Sequence, residues 1–276
     1  MQVLRGKVAV ITGAGSGIGR ALAEQLAREG CALALADINA ESLQSLAATL
    51  QGSGVRVTTH VLDVAKRAAV YAFADEVLAL HGSAQLIINN AGVSVSQTVA
   101  ELTYDDFEWI MGINFWGVVY GTKAFLPHLL KNNSGHIVNV SSIFGIIGVP
   151  TQAAYNASKF AVRGFTEALR QEVATSGVRV SCVHPGGIKT NIARSGRFYR
   201  DMSGNQDASR SIANFDKIAR TTPAAAAQVI IEGIKREQPR ILIGADARLL
   251  DRVQRLLPVR YARIVERLSG IATRRF

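Results

Sequence analysis

Seven short runs rich in valine and isoleucine recur along the chain, separated by longer helical patterns. They lie at 7–12 (KVAVIT), 32–37 (ALALAD), 56–63 (RVTTHVLD), 84–90 (AQLIINN), 135–142 (GHIVNVSS), 178–185 (VRVSCVHP) and 240–244 (RILIG). Several lack the alternation of a half-exposed strand, as expected where crossover helices cover both faces. Helical patterns span 17–29, 40–50, 65–80, 104–130 and 153–175. This strand–helix alternation predicts an α/β fold, a doubly wound parallel sheet of about seven strands with helices on both faces. No repeat, low-complexity segment or linker divides the chain. Residues 1–245 read as one catalytic domain and 246–276 as a basic amphipathic extension. Residues 189–220 break the rhythm, being polar, glycine-dotted and weakly periodic. They read as an inserted lid, binding loop or disordered stretch near the substrate.

The first strand ends in T-G-A-G-S-G-I-G-R, residues 12–20. Glycines between a first strand and an amphipathic helix let backbone N–H groups approach a pyrophosphate at the positive end of the helix dipole. The same glycines could mark only a tight turn, but their placement points to a dinucleotide. Further along, Tyr155 precedes Lys159 by four positions in a helical pattern. Side chains so spaced lie about 5–6 Å apart on one face. That pairing suits a phenol acid/base held near neutrality by a cation.

The TGxxxGxG spacing resembles the short-chain dehydrogenase/reductase superfamily, and the resemblance runs from Lys7 to about Gly244. Its other marks follow in order: Asp63, Asn89-Asn90-Ala91-Gly92, Asn114, Ser142, Tyr155 with Lys159, then Pro185-Gly186 with Thr190. The resemblance implies a Rossmann fold and a nicotinamide cofactor held around Gly13, Ser16, Gly17, Ile18 and Gly19. By the same resemblance Asp63 and Val64 contact the adenine, and Asn90, Ala91 and Gly92 let the backbone approach the adenosine ribose. Pro185, Gly186 and Ile188 pass beside the nicotinamide, whose carboxamide Ile188 and Thr190 hold. Tyr155 and Lys159 also touch the cofactor. The catalytic set implied is Asn114, Ser142, Tyr155 and Lys159, with Asn114 holding a water in a proton relay.

Asp37 ends the second strand, where a carboxylate can accept from ribose hydroxyls and would repel a 2′-phosphate. Ser16 and Ile38 supply no cation to offset one, so NAD is expected rather than NADP. Capping the next helix is the other duty open to Asp37. Tyrosine titrates near 10 in water, so a neutral-pH base needs its phenolate stabilised by about 4 kcal/mol. Lys159 and a positive nicotinamide ring carry charge of the right sign. Ser142 can hold a substrate oxygen, whereas Ser141 points to the other side of its strand. His184 reads as a packed structural residue.

These features predict an NAD-dependent alcohol dehydrogenase or ketone reductase. The alternative is a catalytically idle dinucleotide-binding sensor or scaffold, which has no need of all four polar residues. Ser94, Ile143, Phe144, Ile147 and Val149 would form a mostly apolar wall, favouring a lipophilic secondary alcohol or ketone. By resemblance the chain assembles as a homodimer or homotetramer.

Composition narrows the partners. Cys31 and Cys182 sit in apolar runs outside any CxxC or Cys/His cluster, so no disulfide or metal site is expected. The formal charge is +10, but residues 235–276 hold 11 basic and 4 acidic residues, leaving 20 and 17 for the rest. The nearly neutral body argues against nucleic-acid binding. The extension carries two amphipathic segments around Pro258, Leu249–Leu257 and Tyr261–Leu268, suited to packing on a subunit or lying on anionic lipid. The N-terminus shows no secretory signal and no run is long enough to span a bilayer, so a cytoplasmic protein is expected.

Overall fold

The computed structural model describes residues 3–201 and 204–264. Its sheet is built from β1 (Val8–Thr12), β2 (Ala32–Asp37), β3 (Val57–Val61), β4 (Leu86–Asn89), β6 (Gly135–Val140), β7 (Val178–Pro185) and β9 (Arg240–Ile243). The order is β3-β2-β1-β4-β6-β7-β9 and all pairs are parallel. Every residue of β1, β4 and β6 is buried, which explains their unbroken apolar sequences. Chain order reverses between β1 and β4, and ligands of such sheets bind outside the strand carboxyl ends at that point.

The crossover helices fill both faces. Leu22 and Leu26 of α1 (Gly17–Arg28) share one core with Ile230 and Ile234 of α8 (Pro223–Lys235). On the other face Phe73 and Val77 of α3 (Arg67–His81) meet Phe125 and Leu129 of α5 (Gly117–Lys131) and Leu169 of α6 (Ala153–Glu172). Helix starts follow local chemistry. Asn39 accepts from Ser42 N–H to cap α2 (Ala40–Leu50), and Thr103 accepts from Asp106 N–H to cap α4 (Tyr104–Met111). Asp37 is therefore not the helix cap.

One expectation changes. The single helix expected over 104–130 is α4 and α5 joined by one π turn, Gly112–Trp116, and this turn carries Asn114. Its wider winding leaves no mark in an apolar pattern read at 3.6 residues per turn. The 189–220 segment runs between β7 and α8. It contains β8 (Arg197–Phe198), which pairs with β5 (Val95–Ser96), and helix α7 (Ala208–Ile218). Helix α9 (Ala245–Leu256) buries Ala247 and joins Leu250 to a cluster with Ile143, Ile146 and Ile147. Val265 to Leu268 of the second amphipathic segment lie outside the described residues. Among the described residues no helix is long and apolar enough to cross a membrane, and no His/Cys/Asp/Glu group could hold a metal.

Candidate active site

The carboxyl end of β1 sets the geometry. Gly13 has φ +64°, and a Cβ there would come within 2.8 Å of Ala91 Cα. A Cβ on Gly19 would lie 2.1 Å from Gly13 O. Neither position admits a side chain, so the turn is pressed against β4 and the start of α1. Thr12 was not anticipated from the sequence, yet its Oγ1 accepts from Asn90 N–H at 3.0 Å and Ala91 N–H at 3.2 Å. Asn90 Nδ2 donates back to Thr12 O and Gly13 O at 2.9 and 3.1 Å. These bonds lock the two strand ends on either side of the switch point. Ser16, with extended backbone, precedes the first turn of α1, which holds Gly17, Ile18 and Gly19. Side-chain-free backbone at a helix start is the cradle a pyrophosphate requires, so these residues fit a dinucleotide.

Asp37 ties the turn to β2. Its Oδ2 accepts from Gly15 N–H at 2.8 Å and its Oδ1 from Asn39 N–H at 3.0 Å. Each carboxylate oxygen keeps a second lone pair, and Asp37 is only half-buried, so both remain capable of meeting ribose hydroxyls. Ile38 beside it is exposed and uncharged. Asp63 accepts from Ala65 N–H at 2.9 Å at the end of β3, and Val64 packs against Gly117.

The polar side chains converge beyond β6. Ser142 Oγ accepts from Phe144 N–H at 3.1 Å, and the Ser142 hydroxyl is near enough to the Tyr155 phenol to bear on its titration. Phe144 packs edge-on against the Tyr155 ring at 6.0 Å. Lys159 is buried, with Nζ 5.7 Å from the Tyr155 ring centre and donating to Val140 O at 3.1 Å. Ser141 turns away and donates to Lys159 O at 2.7 Å, which fixes the lysine backbone. Asn114 is fully buried: Oδ1 accepts from Val93 N–H at 2.8 Å, and Nδ2 donates to Val93 O and Ser158 Oγ, both at 3.0 Å. A Cβ on Gly92 would lie 3.2 Å from both Asn114 Oδ1 and Lys159 Nζ, so these two groups border one space.

The protein alone does not depress the phenol. Burial pushes Tyr155 up to about 12, although the Ser142 hydroxyl pulls the other way. Burial also brings Lys159 down to about 8. The lysine's polar contact is a backbone carbonyl rather than the phenol oxygen, so desolvation outweighs attraction. Near neutrality the arrangement therefore holds a protonated tyrosine and a mostly charged lysine.

His184 is buried behind this cluster, its Nδ1 3.1 Å from Ser142 O, and burial pushes its pKa down to about 4. As the carbonyl can only accept, Nδ1 donates and supports the serine from behind. The Pro185–Thr190 turn is fastened from three directions. Gly186 N–H donates to Ile243 O, Lys189 N–H donates to Thr221 O, and Gly187 N–H donates to Asp246 Oδ2 at 2.7 Å. Ile188 is buried, while Thr190 overhangs the glycine turn, with Cγ2 3.1 Å from where a Gly17 Cβ would stand. Asp246 was missed because its partner is 59 residues away and no local pattern marks it.

The comparisons agree with this architecture. Residues 7–198 match the family described as short chain dehydrogenase. SadH of Mycobacterium tuberculosis, assigned as an oxidoreductase, is 47% identical over 99% of this chain and 98% of its own. Human estradiol 17-beta-dehydrogenase 11 is 33% identical over 96% of this chain and 84% of its own. A short-chain dehydrogenase/reductase from Burkholderia phymatum, solved in complex with NAD, superposes with a TM-score of 0.84. It is 33% identical, with 93% of this chain and 96% of that one covered. By sequence, sheet order and site, the chain belongs to the short-chain dehydrogenases, a family of dinucleotide-linked oxidoreductases.

Proposed function

We propose that the protein is an NAD-dependent alcohol dehydrogenase or ketone reductase acting on a lipophilic secondary alcohol or ketone. The observation that carries this reading is the buried group of Tyr155, Ser142 and Lys159 at the carboxyl end of β6. Bound NAD supplies the hydride acceptor or donor and, when oxidised, a positive ring. Ser142 Oγ orients the substrate oxygen and meets its developing negative charge. Tyr155 passes a proton to that oxygen in reduction and removes it in oxidation. Lys159 holds positive charge near the phenol below about pH 8, and Asn114 holds the backbone at Val93 in place beside it. A water held near Asn114 would complete the proton path to Lys159.

Asp37 supports NAD over NADP, since its carboxylate stands where a 2′-phosphate would need a cation and Ile38 offers none. The lipophilic substrate is supported by buried Ile143 and Ile147 and by Phe144 against the tyrosine. A human relative named for estradiol is compatible with that choice. The same reading gives a homodimer or homotetramer, for which exposed Trp116 and Phe160 supply apolar surface. The decisive experiment is Tyr155→Phe with a panel of alcohols followed through NADH absorbance. Turnover should fall by about a thousandfold or more while NAD still binds. Unchanged turnover, or small polyols preferred over hydrophobic alcohols, would overturn the corresponding part.

A further inference from the structure

Residues 245–264 contain five arginines and two aspartates, and the domain engages both aspartates. Asp246 accepts from Gly187 N–H, and Asp251 is buried, taking bonds from Arg240 at 3.2 and 2.6 Å and from Arg255 at 3.3 Å. The inner face of α9 packs on the 143–149 wall through Ala247 and Leu250. Beyond Pro258 the chain returns to that wall, where Tyr261 OH accepts from Gly148 N–H at 3.0 Å.

The outer face is different. Leu249 and Leu256 are 53% and 79% exposed, and Arg252 lies between them at three- and four-residue spacing. Leu257 and Val259, 38% and 86% exposed, extend the patch around Pro258. Arg248, Arg255, Arg260 and Arg263 are exposed around it, with no acidic side chain between 252 and 264. Single exposed leucines need no explanation, but a row of them among arginines does. Packing against a second copy of the same patch would set arginine against arginine. A nucleic-acid backbone would leave the leucines in water. An anionic bilayer satisfies both sets, taking the apolar side chains at its acyl boundary and the guanidinium groups at its phosphates.

We propose that the outer face of α9 and the turn at Pro258 dock on an anionic lipid surface, placing the 143–149 segment beside the membrane. This inference does not rest on the catalytic reading, because vesicle binding requires neither dinucleotide nor turnover. The test is co-flotation of the full chain with vesicles of phosphatidylcholine alone and with vesicles containing about a third phosphatidylglycerol. The protein should favour the anionic vesicles by about tenfold or more, and high salt should weaken that preference. L256D/V259D and R252E/R260E should each lose about tenfold in binding with unchanged melting temperature, since these side chains are exposed. Equal partition to both vesicles, no binding to either, or double variants that bind like the parent would overturn the proposal. So would a smaller assembly on gel filtration of L256D/V259D, which would give the face to a second copy.

Discussion

The turns at the ends of β1 and β4 and the segment after β7 face one another across the same site but are held by different means. In the first, Thr12, Gly13, Gly19 and Asn90 interlock through buried backbone contacts that leave no room for a single added carbon. In the second, ion pairs supplement the backbone pairing of β8 with β5. Arg197 reaches buried Asp106 at 2.7 Å and lies 4.0 Å from the Trp109 ring centre, Arg200 meets Glu101 at 3.1 Å, and Arg194 pairs with Asp216. Helix α7 in that segment buries no residue. Surface ion pairs contribute little each and tolerate exchange, whereas a backbone clash does not. The molecule thus keeps a rigid glycine-turn side and a more adjustable side after β7.

The largest effect should come from adding one methyl group to each side. Gly19→Ala forces Cβ against Gly13 O and should cost about 3 kcal/mol, or about a hundredfold in NAD affinity. Gly204→Ala, with φ +81° but nothing within 4 Å, should cost about 1 kcal/mol and leave NAD affinity unchanged. Calorimetric titration and thermal melting of both variants would check this, and equal losses would erase the contrast.

Lys159→Met probes the polar cluster between the two sides. Its pKa is lowered from 10.5 to about 8, so folding bears a penalty for the charged amine below pH 8. Between about pH 8 and 10.5 the unfolded chain binds the extra proton, and stability should rise with pH. For Tyr155 the raised value of about 12 makes its contribution constant up to pH 10 and lost only above it. Without added dinucleotide, Lys159→Met should gain about 2 kcal/mol at pH 7, lose the rise between pH 8 and 10, and lose turnover. Denaturant unfolding across that range measures it, and a variant less stable than the parent at pH 7 would contradict the assignment.

A smaller effect is expected on the side after β7. Burial alone pushes the Asp106 carboxyl up, but hydrogen bonds from Arg197, Tyr199 and Thr103 hold it below its ordinary range. Asp106→Asn removes the charge that Arg197 meets and should loosen residues 191–200 for about 1 kcal/mol. KM for the alcohol should rise several-fold with NAD affinity unchanged, and limited proteolysis should cut within that segment sooner. Equal effects on both ligands would show that the two sides are not separately held.

The same contrast governs what the sequence discloses. The sheet and its order of elements are legible because buried parallel strands require unbroken apolar runs, and β2, α2 and β7 match their expected limits residue for residue. The glycine turn is legible because only glycine fits there. Tyr155 and Lys159 are legible because a helix converts a spacing of four into adjacency. By contrast, the π turn at Asn114, the Asp246–Gly187 bond and the Arg197–Asp106 pair join residues through tertiary contacts or irregular backbone, and no local period records them. Proximity in sequence also says nothing of desolvation, which raises the Tyr155 phenol before any dinucleotide binds.

That desolvation opens the central claim to direct measurement. The phenol should act as a base at neutral pH only when the charge of bound NAD⁺ joins that of Lys159. Carbon-13 labelling of tyrosine allows Tyr155 to be titrated by NMR in the free protein and in its NAD⁺ complex. The account predicts a value about 12 in the free protein, falling by several pH units towards neutrality in the complex. A phenol that stays protonated well into the alkaline range in the complex, while the enzyme turns over at pH 7, would contradict it.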